Sequence, residues 1–137
     1  MPEQPEYGTT HISVVDAQGR AVSLTSSIES AFGARLMVDG FLLNNQLTDF
    51  SFTARDAATG RPVANRVQPG KRPRSSMAPL MVWNRRTGHL AYVLGSPGGS
   101  MIIHYVARAL QAMLDRGLSA AQAVQQRHLG VGTSRRV

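Results

Sequence analysis

Residues 9–28 read TTHISVVDAQGRAVSLTSSI, and this stretch decides the fold class. In its first half, Ile12 and Val14 fall on one face while His11 and Ser13 fall on the other, a period of two that predicts a β-strand. AVSLTSSI alternates in the same way, and the DAQGR segment between the two runs has an aspartate and a glycine that suit a short connection. The stretch therefore predicts a β-hairpin.

Further strands are predicted downstream of this hairpin. GFLLNNQ, residues 40–46, is an apolar run that predicts a third strand ending in a site. LMVWN and HLAYVLG, residues 80–84 and 89–95, predict a second hairpin. Residues 51–79 show no sustained period and contain several prolines, so we expect a long loop there.

Helices follow the strands. Between Ser100 and Gly117 apolar residues recur at three- and four-residue steps, which predicts the main helix, and Ser119 can cap a second short helix over AAQAVQQ. Strands followed by helices predict an α+β fold. Some strands are apolar on both faces, as in FLLNN, which indicates that further protein covers them.

Composition excludes several classes of protein. The 137 residues are 42% hydrophobic, which provides enough apolar material for a packed core. Cysteine is absent, so the chain has no disulfide scaffold, thiolate metal site or cysteine nucleophile. The histidines lack metal-ligand spacing, so no metal site is predicted. No apolar run is long enough to span a bilayer, and MPEQPEYG at the start shows no export signal.

A formal net charge of +7 and a pI near 11.3 raise the question of an anionic partner. All the basic residues except Lys71 are arginines, and they are scattered apart from one cluster, Arg66, Lys71, Arg72 and Arg74. The few aromatic residues do not alternate with basic ones as in a base-stacking surface, so no nucleic-acid partner is expected. A basic anion-binding module centred on this cluster stays open as an alternative.

Four features could carry chemistry. Gly98 and Gly99 lie in GSPGGS, between a strand and a helix, where their amides can bind an oxyanion, although a tight turn is the alternative. Thr9 could be a nucleophile only if cleavage made it the first residue of the chain, with its free α-amine as the base. The alternative is that Thr9 simply favours the start of a strand. Asp49 could hold an ammonium group or form a turn. The adjacent hydroxyls of Ser75 and Ser76 could bind a carboxylate or lie in a solvated loop.

Five motifs in order, PEYGTTHISVVD, TSSIESAFG, GFLLNNQLTDFS, GKRPRSSMAP and GSPGGS, resemble the catalytic small subunit of γ-glutamyltranspeptidase, an N-terminal nucleophile hydrolase. The resemblance implies part of a four-layer αββα fold, with antiparallel strands and C-terminal helices. It also implies γ-glutamyl transfer or hydrolysis on glutathione and related compounds, without a cofactor or metal.

The resemblance assigns roles to individual residues. Cleavage between Gly8 and Thr9 would make Thr9 the nucleophile and its amine the general base. Ser27 would hydrogen-bond the nucleophile, in a position where threonine is common, and Glu29 stands where many members have asparagine. Glu29, Gln46 and Asp49 would hold the substrate α-amino group. Ser75 and Ser76 would hold its α-carboxylate. Gly98 and Gly99 would bind the oxyanion.

The resemblance also implies that a partner is needed. The family's large subunit precedes the threonine, whereas eight residues do so here, and QQRHLGVGTSRRV departs from the family pattern, so the chain is expected to be truncated. We expect a linker at 1–8, a partial small-subunit domain at 9–127 and an irregular tail at 128–137. The chain alone is expected to be inactive; family members are usually exported, but its own location is unknown. A non-catalytic remnant that docks on a partner is the alternative.

Overall fold

The computed structural model describes residues 8–127 of the chain. The expected tail and the expected linker, except for Gly8, lie outside the described residues. Contacts divide the described part into two compact units. The first unit consists of Gly8 and Ser27–Ser75, and the second consists of Thr9–Ser26 and residues 76–127.

The described residues form short strands followed by two helices. In chain order the elements are β1 (Thr9–Val15), β2 (Ala21–Ser27), β3 (Met37–Val38), β4 (Phe41–Leu42), a 3₁₀ turn (Gln46–Asp49), β5 (Leu80–Trp83), β6 (Leu90–Leu94), a second 3₁₀ turn (Gly99–Met101), α1 (Ile102–Leu114) and α2 (Ala120–Val124). The strands pair as β1 with β2, β3 with β4 and β5 with β6. Both predicted hairpins and both predicted helices are therefore confirmed.

The β1–β2 hairpin is closed by Asp16. Its carboxylate accepts hydrogen bonds from the backbone amides of Gln18 and Arg20, at 3.0 and 2.8 Å, and forms an ion pair with the Arg20 guanidinium at 2.6 Å. Gly19 takes the positive φ of 80° that the turn requires. The aspartate and the glycine of DAQGR thus fix the register of the two strands.

The hairpin buries its polar face more than its apolar face. Half-buried positions alternate with exposed ones throughout β2 and over residues 9–12 of β1, whereas residues 13–15 are all exposed; the half-buried set is Thr9, His11, Ala21, Ser23, Thr25 and Ser27. The exposed side chains include Ile12, Val14, Val22 and Leu24, each about half accessible to solvent. In a sheet that no further protein covers, the apolar side chains are expected on the buried face and the polar side chains on the exposed face.

The third predicted strand is much shorter than expected. Only Phe41–Leu42 is β-structure, and it pairs with Met37–Val38 across a turn in which Asp39 and Gly40 have φ values of 49° and 88°. After β4, the Asn44 carboxamide oxygen accepts from the Gln46 amide at 2.9 Å, and the chain enters a 3₁₀ turn. Asparagine side chains that bond to the nearby backbone compete with strand pairing, so the prediction of a strand over 40–46 was wrong beyond Leu42.

The core of the second unit lies along the helices. Ile102 and Val106 of α1 are buried, and Ala112, Met113 and Ala123 form a cluster against which Tyr92, Leu94 and Leu118 pack. Ser119 caps α2 as predicted, within a capping box that it forms with Gln122. Among residues 8–127, neither helix is long and apolar enough to cross a membrane.

Candidate active site

The first unit gathers polar side chains around Glu29. Glu29 has a φ of 70°, and its Oε2 accepts hydrogen bonds from the Ser30 hydroxyl at 2.5 Å and the Asn45 carboxamide at 2.9 Å. Its backbone amide donates to the Ser27 hydroxyl at 2.9 Å. The structure thus brings Ser27 and Glu29, two of the predicted site residues, together at the end of β2.

Gly33 holds the two halves of this cluster together. Its φ is 50°, and a Cβ there would lie 2.2 Å from the carbonyl oxygen of Leu43. That oxygen accepts from the amide of Ala34 at 2.9 Å, and the amide of Asn45 donates to the carbonyl of Ile28 at 3.3 Å. Only glycine permits this approach of backbone to backbone, which brings Asn45 to Glu29.

Asp49 lies in the same unit and is electrostatically coupled to Glu29. Its carboxylate accepts a short hydrogen bond from the Gln46 carboxamide, and its backbone carbonyl accepts from Asn65 Nδ2 at 2.6 Å. Partial burial and the charge of Glu29 raise the pKa of the Asp49 carboxyl above its usual value, whereas Arg74 acts to lower it. The three residues predicted to bind an ammonium group, Glu29, Gln46 and Asp49, therefore belong to one cluster.

The second unit contains the predicted nucleophile and the glycine pair. Thr9 is the first residue of β1 and is half-buried. Gly98 has a φ of 131°, and a Cβ there would lie 2.6 Å from the Tyr105 ring. Gly99, with a φ of 54°, begins the 3₁₀ turn that leads into α1. The glycine pair thus takes a conformation that L side chains rarely adopt, directly before the main helix.

The chain passes from the first unit to the second between the two serines of the predicted carboxylate-binding pair. Ser75 closes the first unit and is exposed, and Ser76 begins the chain's return to the second unit and is half-buried. Arg74, the residue before them, donates its amide to the Asn65 carboxamide oxygen at 3.0 Å. This bond fixes the residue before Ser75 to Asn65, whose Nδ2 donates to the backbone carbonyl of Asp49.

Sequence reasoning missed the contacts of His11. Its Nδ1 lies 2.8 Å from the Thr25 hydroxyl and its Nε2 lies 3.0 Å from the Ser13 hydroxyl. The ring lies directly against Gly95, where a Cβ would come within 2.1 Å of the imidazole. Partial burial lowers the pKa of His11 below its usual value. The available signal was its position two residues after Thr9, on a strand face that also carries Ser13.

Metal binding has no candidate among residues 8–127, because no three of their His, Asp and Glu side chains are grouped to hold an ion. His128 lies outside the described residues. The predicted site residues supply hydroxyls, carboxylates, a carboxamide and backbone amides, which are groups suited to acyl transfer.

Comparison with known proteins identifies the family. The model of the γ-glutamyltranspeptidase family matches residues 2–133. The chain belongs to this family. The glutathione hydrolase proenzyme of Arthroderma benhamiae is 40% identical to this chain over 122 residues, which cover 86% of this chain and 21% of that protein. The glutathione hydrolase proenzyme of Escherichia coli is 42% identical over 125 residues, which cover 84% of this chain and 20% of that protein.

The chain thus spans about a fifth of the length of these curated relatives. A solved γ-glutamyltranspeptidase of Pseudomonas nitroreducens, in complex with L-DON, matches with a TM-score of 0.76 at 38% identity, covering 91% of this chain and 66% of that chain. The predicted family and the predicted fold class, part of the αββα N-terminal nucleophile hydrolase fold with antiparallel strands, are both confirmed.

Proposed function

We propose that this chain supplies the nucleophile and substrate-binding residues of a γ-glutamyltransferase that also acts as a glutathione hydrolase. The observation that carries the proposal is the family match over residues 2–133, in a fold that places Thr9 at the start of β1. The relatives named above are glutathione hydrolase proenzymes, which supports both the substrate class and a requirement for cleavage.

The proposed reaction begins with cleavage of the Gly8–Thr9 bond, because the nitrogen of Thr9 is otherwise an amide and cannot act as a base. The released α-amine then takes the proton of the Thr9 hydroxyl while Oγ attacks the γ-glutamyl carbonyl. The oxyanion is bound by the amides of Gly98 and Gly99. The carbon–nitrogen bond breaks, the leaving amine receives the proton, and a Thr9 ester remains for attack by water or an acceptor amine. Ser27 is proposed to hydrogen-bond the nucleophile.

The glutamyl head is a zwitterion and needs a clamp for each charge. We assign its ammonium group to Gln46, Asp49 and Glu29. Partial burial raises the pKa of Asp49 and the neighbouring Glu29 carboxylate raises it further; an ammonium group between the two carboxylates would relieve their repulsion. We assign its carboxylate to Ser75 and Ser76, whose hydroxyls can donate to it. No cofactor enters this chemistry.

The partner is proposed to be a large subunit of the same family. The exposed apolar side chains of Ile12, Val14, Val22 and Leu24 support this, since a face of this kind on a two-stranded sheet is stable only when covered. The same face supports the alternative, a non-catalytic fragment that docks on a partner without reacting.

The test is to co-express the chain with the large subunit of a characterised γ-glutamyltranspeptidase. We expect the N-terminal mass to show loss of residues 1–8 and the complex to release p-nitroaniline from γ-glutamyl-p-nitroanilide. Thr9→Ala should abolish both, whereas Thr10→Ala, on the opposite face of β1, is the matched control and should retain both. A complex that forms without cleavage supports the docking alternative and contradicts the enzymatic proposal.

A further inference from the structure

A directed chain of hydrogen bonds runs through His11. The Ser13 hydroxyl donates to the backbone carbonyl of Val93 at 3.3 Å, so its single proton is already used. Its oxygen must then accept from His11 Nε2, 3.0 Å away, which places the ring proton on Nε2. In the neutral ring His11 Nδ1 is then an acceptor, and the Thr25 hydroxyl, 2.8 Å away, donates to it. The neutral imidazole protonated at Nε2 satisfies all three bonds.

The same ring lies against the backbone that leads to the glycine pair. Gly95 directly follows β6, and all three atoms nearest to a Cβ built on it belong to the His11 ring. Ser23 of β2 adds a second bond to this segment, from its hydroxyl to the Leu94 carbonyl at 3.1 Å. Polar side chains of the β1–β2 hairpin thus fix the end of β6. Of these contacts, the one between His11 and Gly95 joins the positions nearest in sequence to Thr9 and to Gly98.

This arrangement goes beyond the roles that the family motifs assign. Thr9 and His11 lie two positions apart and share a strand face, so a movement of the ring is a movement of the strand that carries the nucleophile. Gly95 precedes Gly98 by three residues, across a segment that contains Pro97. Acyl transfer depends on the distance between nucleophile and oxyanion donors, and a misplacement of about 1 Å can cost about 100-fold in rate.

Resting on the proposed function, we propose that His11 is a positioning residue: as the neutral tautomer protonated at Nε2, it fixes the strand that begins with Thr9 to the backbone that leads to Gly98. Its lowered pKa agrees with this state, because partial burial disfavours the imidazolium. The role differs from general base catalysis, which the proposed reaction gives to the Thr9 amine.

Activity of the co-expressed complex tests the functional half. We expect His11→Ala to lower kcat by about 10- to 100-fold while KM changes less than about twofold, since misplaced reacting groups slow chemistry without removing the ammonium and carboxylate clamps. His11→Gln places an amide donor near the former Nε2 and should recover part of kcat. His104→Ala, at an exposed position on α1, is the matched control. Equal kcat values for His11→Ala and His104→Ala would overturn the proposal.

NMR of the purified chain tests the structural half whether or not the complex is active. We expect a neutral His11 ring with the proton on Nε2, and faster exchange of the amides of residues 95–99, Pro97 excepted, in His11→Ala than in His104→Ala. A ring protonated at Nδ1, or unchanged exchange at 95–99, contradicts the positioning role. Failure of cleavage and activity in the wild type, with the NMR results as expected, counts against the proposed function alone.

Discussion

Replacing Gly95 with alanine should destabilise the chain through one side chain, that of His11. A Cβ at position 95 would lie 2.1 and 2.2 Å from ring atoms, far inside normal contact distance. Either the ring stays and the backbone shifts, at about 1–3 kcal/mol for overpacking, or the ring leaves. Leaving would cost about 0.5–1.5 kcal/mol for each of its hydrogen bonds, to Thr25 and Ser13. Both routes predict a loss of about 1–3 kcal/mol in the free energy of unfolding.

The double variant makes this prediction specific. Gly95 is not among the glycines with positive φ, so alanine is compatible with its backbone. With His11→Ala the ring is gone, and Gly95→Ala should then be neutral or stabilising by up to about 1 kcal/mol, because alanine restricts the unfolded chain. The same substitution therefore changes from costly to harmless between the two backgrounds.

Urea unfolding followed by fluorescence provides the assay, since Trp83 is the single tryptophan and lies in β5 of the same unit. A double-mutant cycle gives the coupling between positions 11 and 95, which we expect to exceed about 1 kcal/mol. Costs for Gly95→Ala that agree within about 0.5 kcal/mol in the two backgrounds would refute the reasoning.

Three more predictions concern His11, Asp49 and Ser119. Because folding lowers the pKa of His11, the neutral ring stabilises the folded chain above the ordinary pKa of 6.5, and this stabilisation is lost as the pH falls below that value. Thermal unfolding between pH 7 and 5 should show the loss in the wild type and a smaller loss in His11→Gln. Glu29→Asn should lower the pKa of Asp49, as read from its carboxyl ¹³C shift on titration, and an unchanged pKa would show that burial alone raises it. Ser119→Ala should cost about 0.5–2 kcal/mol in urea unfolding by removing the capping box with Gln122, whereas the exposed Ser100→Ala should cost less.

Local patterns predict local structure well in this chain. The period of two over residues 9–28 and the capping serine before α2 each depend on neighbours within a few positions, and both are confirmed. The strand predicted over 40–46 was wrong because the Asn44 and Asn45 side chains bond to nearby and distant backbone instead of leaving it to a ladder. Apolar content predicted the strand, whereas the asparagines determined where it ends.

The contacts that build the candidate site are long-range, and periodicity carries no information on them. Glu29 and Asn45 meet across sixteen residues, and the approach depends on a glycine at position 33 that looks like any loop glycine in the sequence. The packing of His11 on Gly95 joins positions far apart in the chain. Motif resemblance named the residues that we propose to bind the ammonium group, but it gave no reason for them to lie together and did not include His11.

The orientation of the β1–β2 hairpin connects these observations. One face carries the nucleophile candidate Thr9 and His11, together with Ser13 and Ser23, whose hydroxyls donate to backbone carbonyls of β6, while the apolar side chains of the other face are exposed. If hydropathy alone decided which face is buried, the apolar face would be buried and all of these hydrogen bonds would be lost. The polar face is held by directional hydrogen bonds, so the apolar face remains available for covering by another layer. If a large subunit is that layer, its binding should increase the stability of the hairpin and its amide protection together, and Val14→Asp should weaken that binding while leaving the bonds of His11 intact.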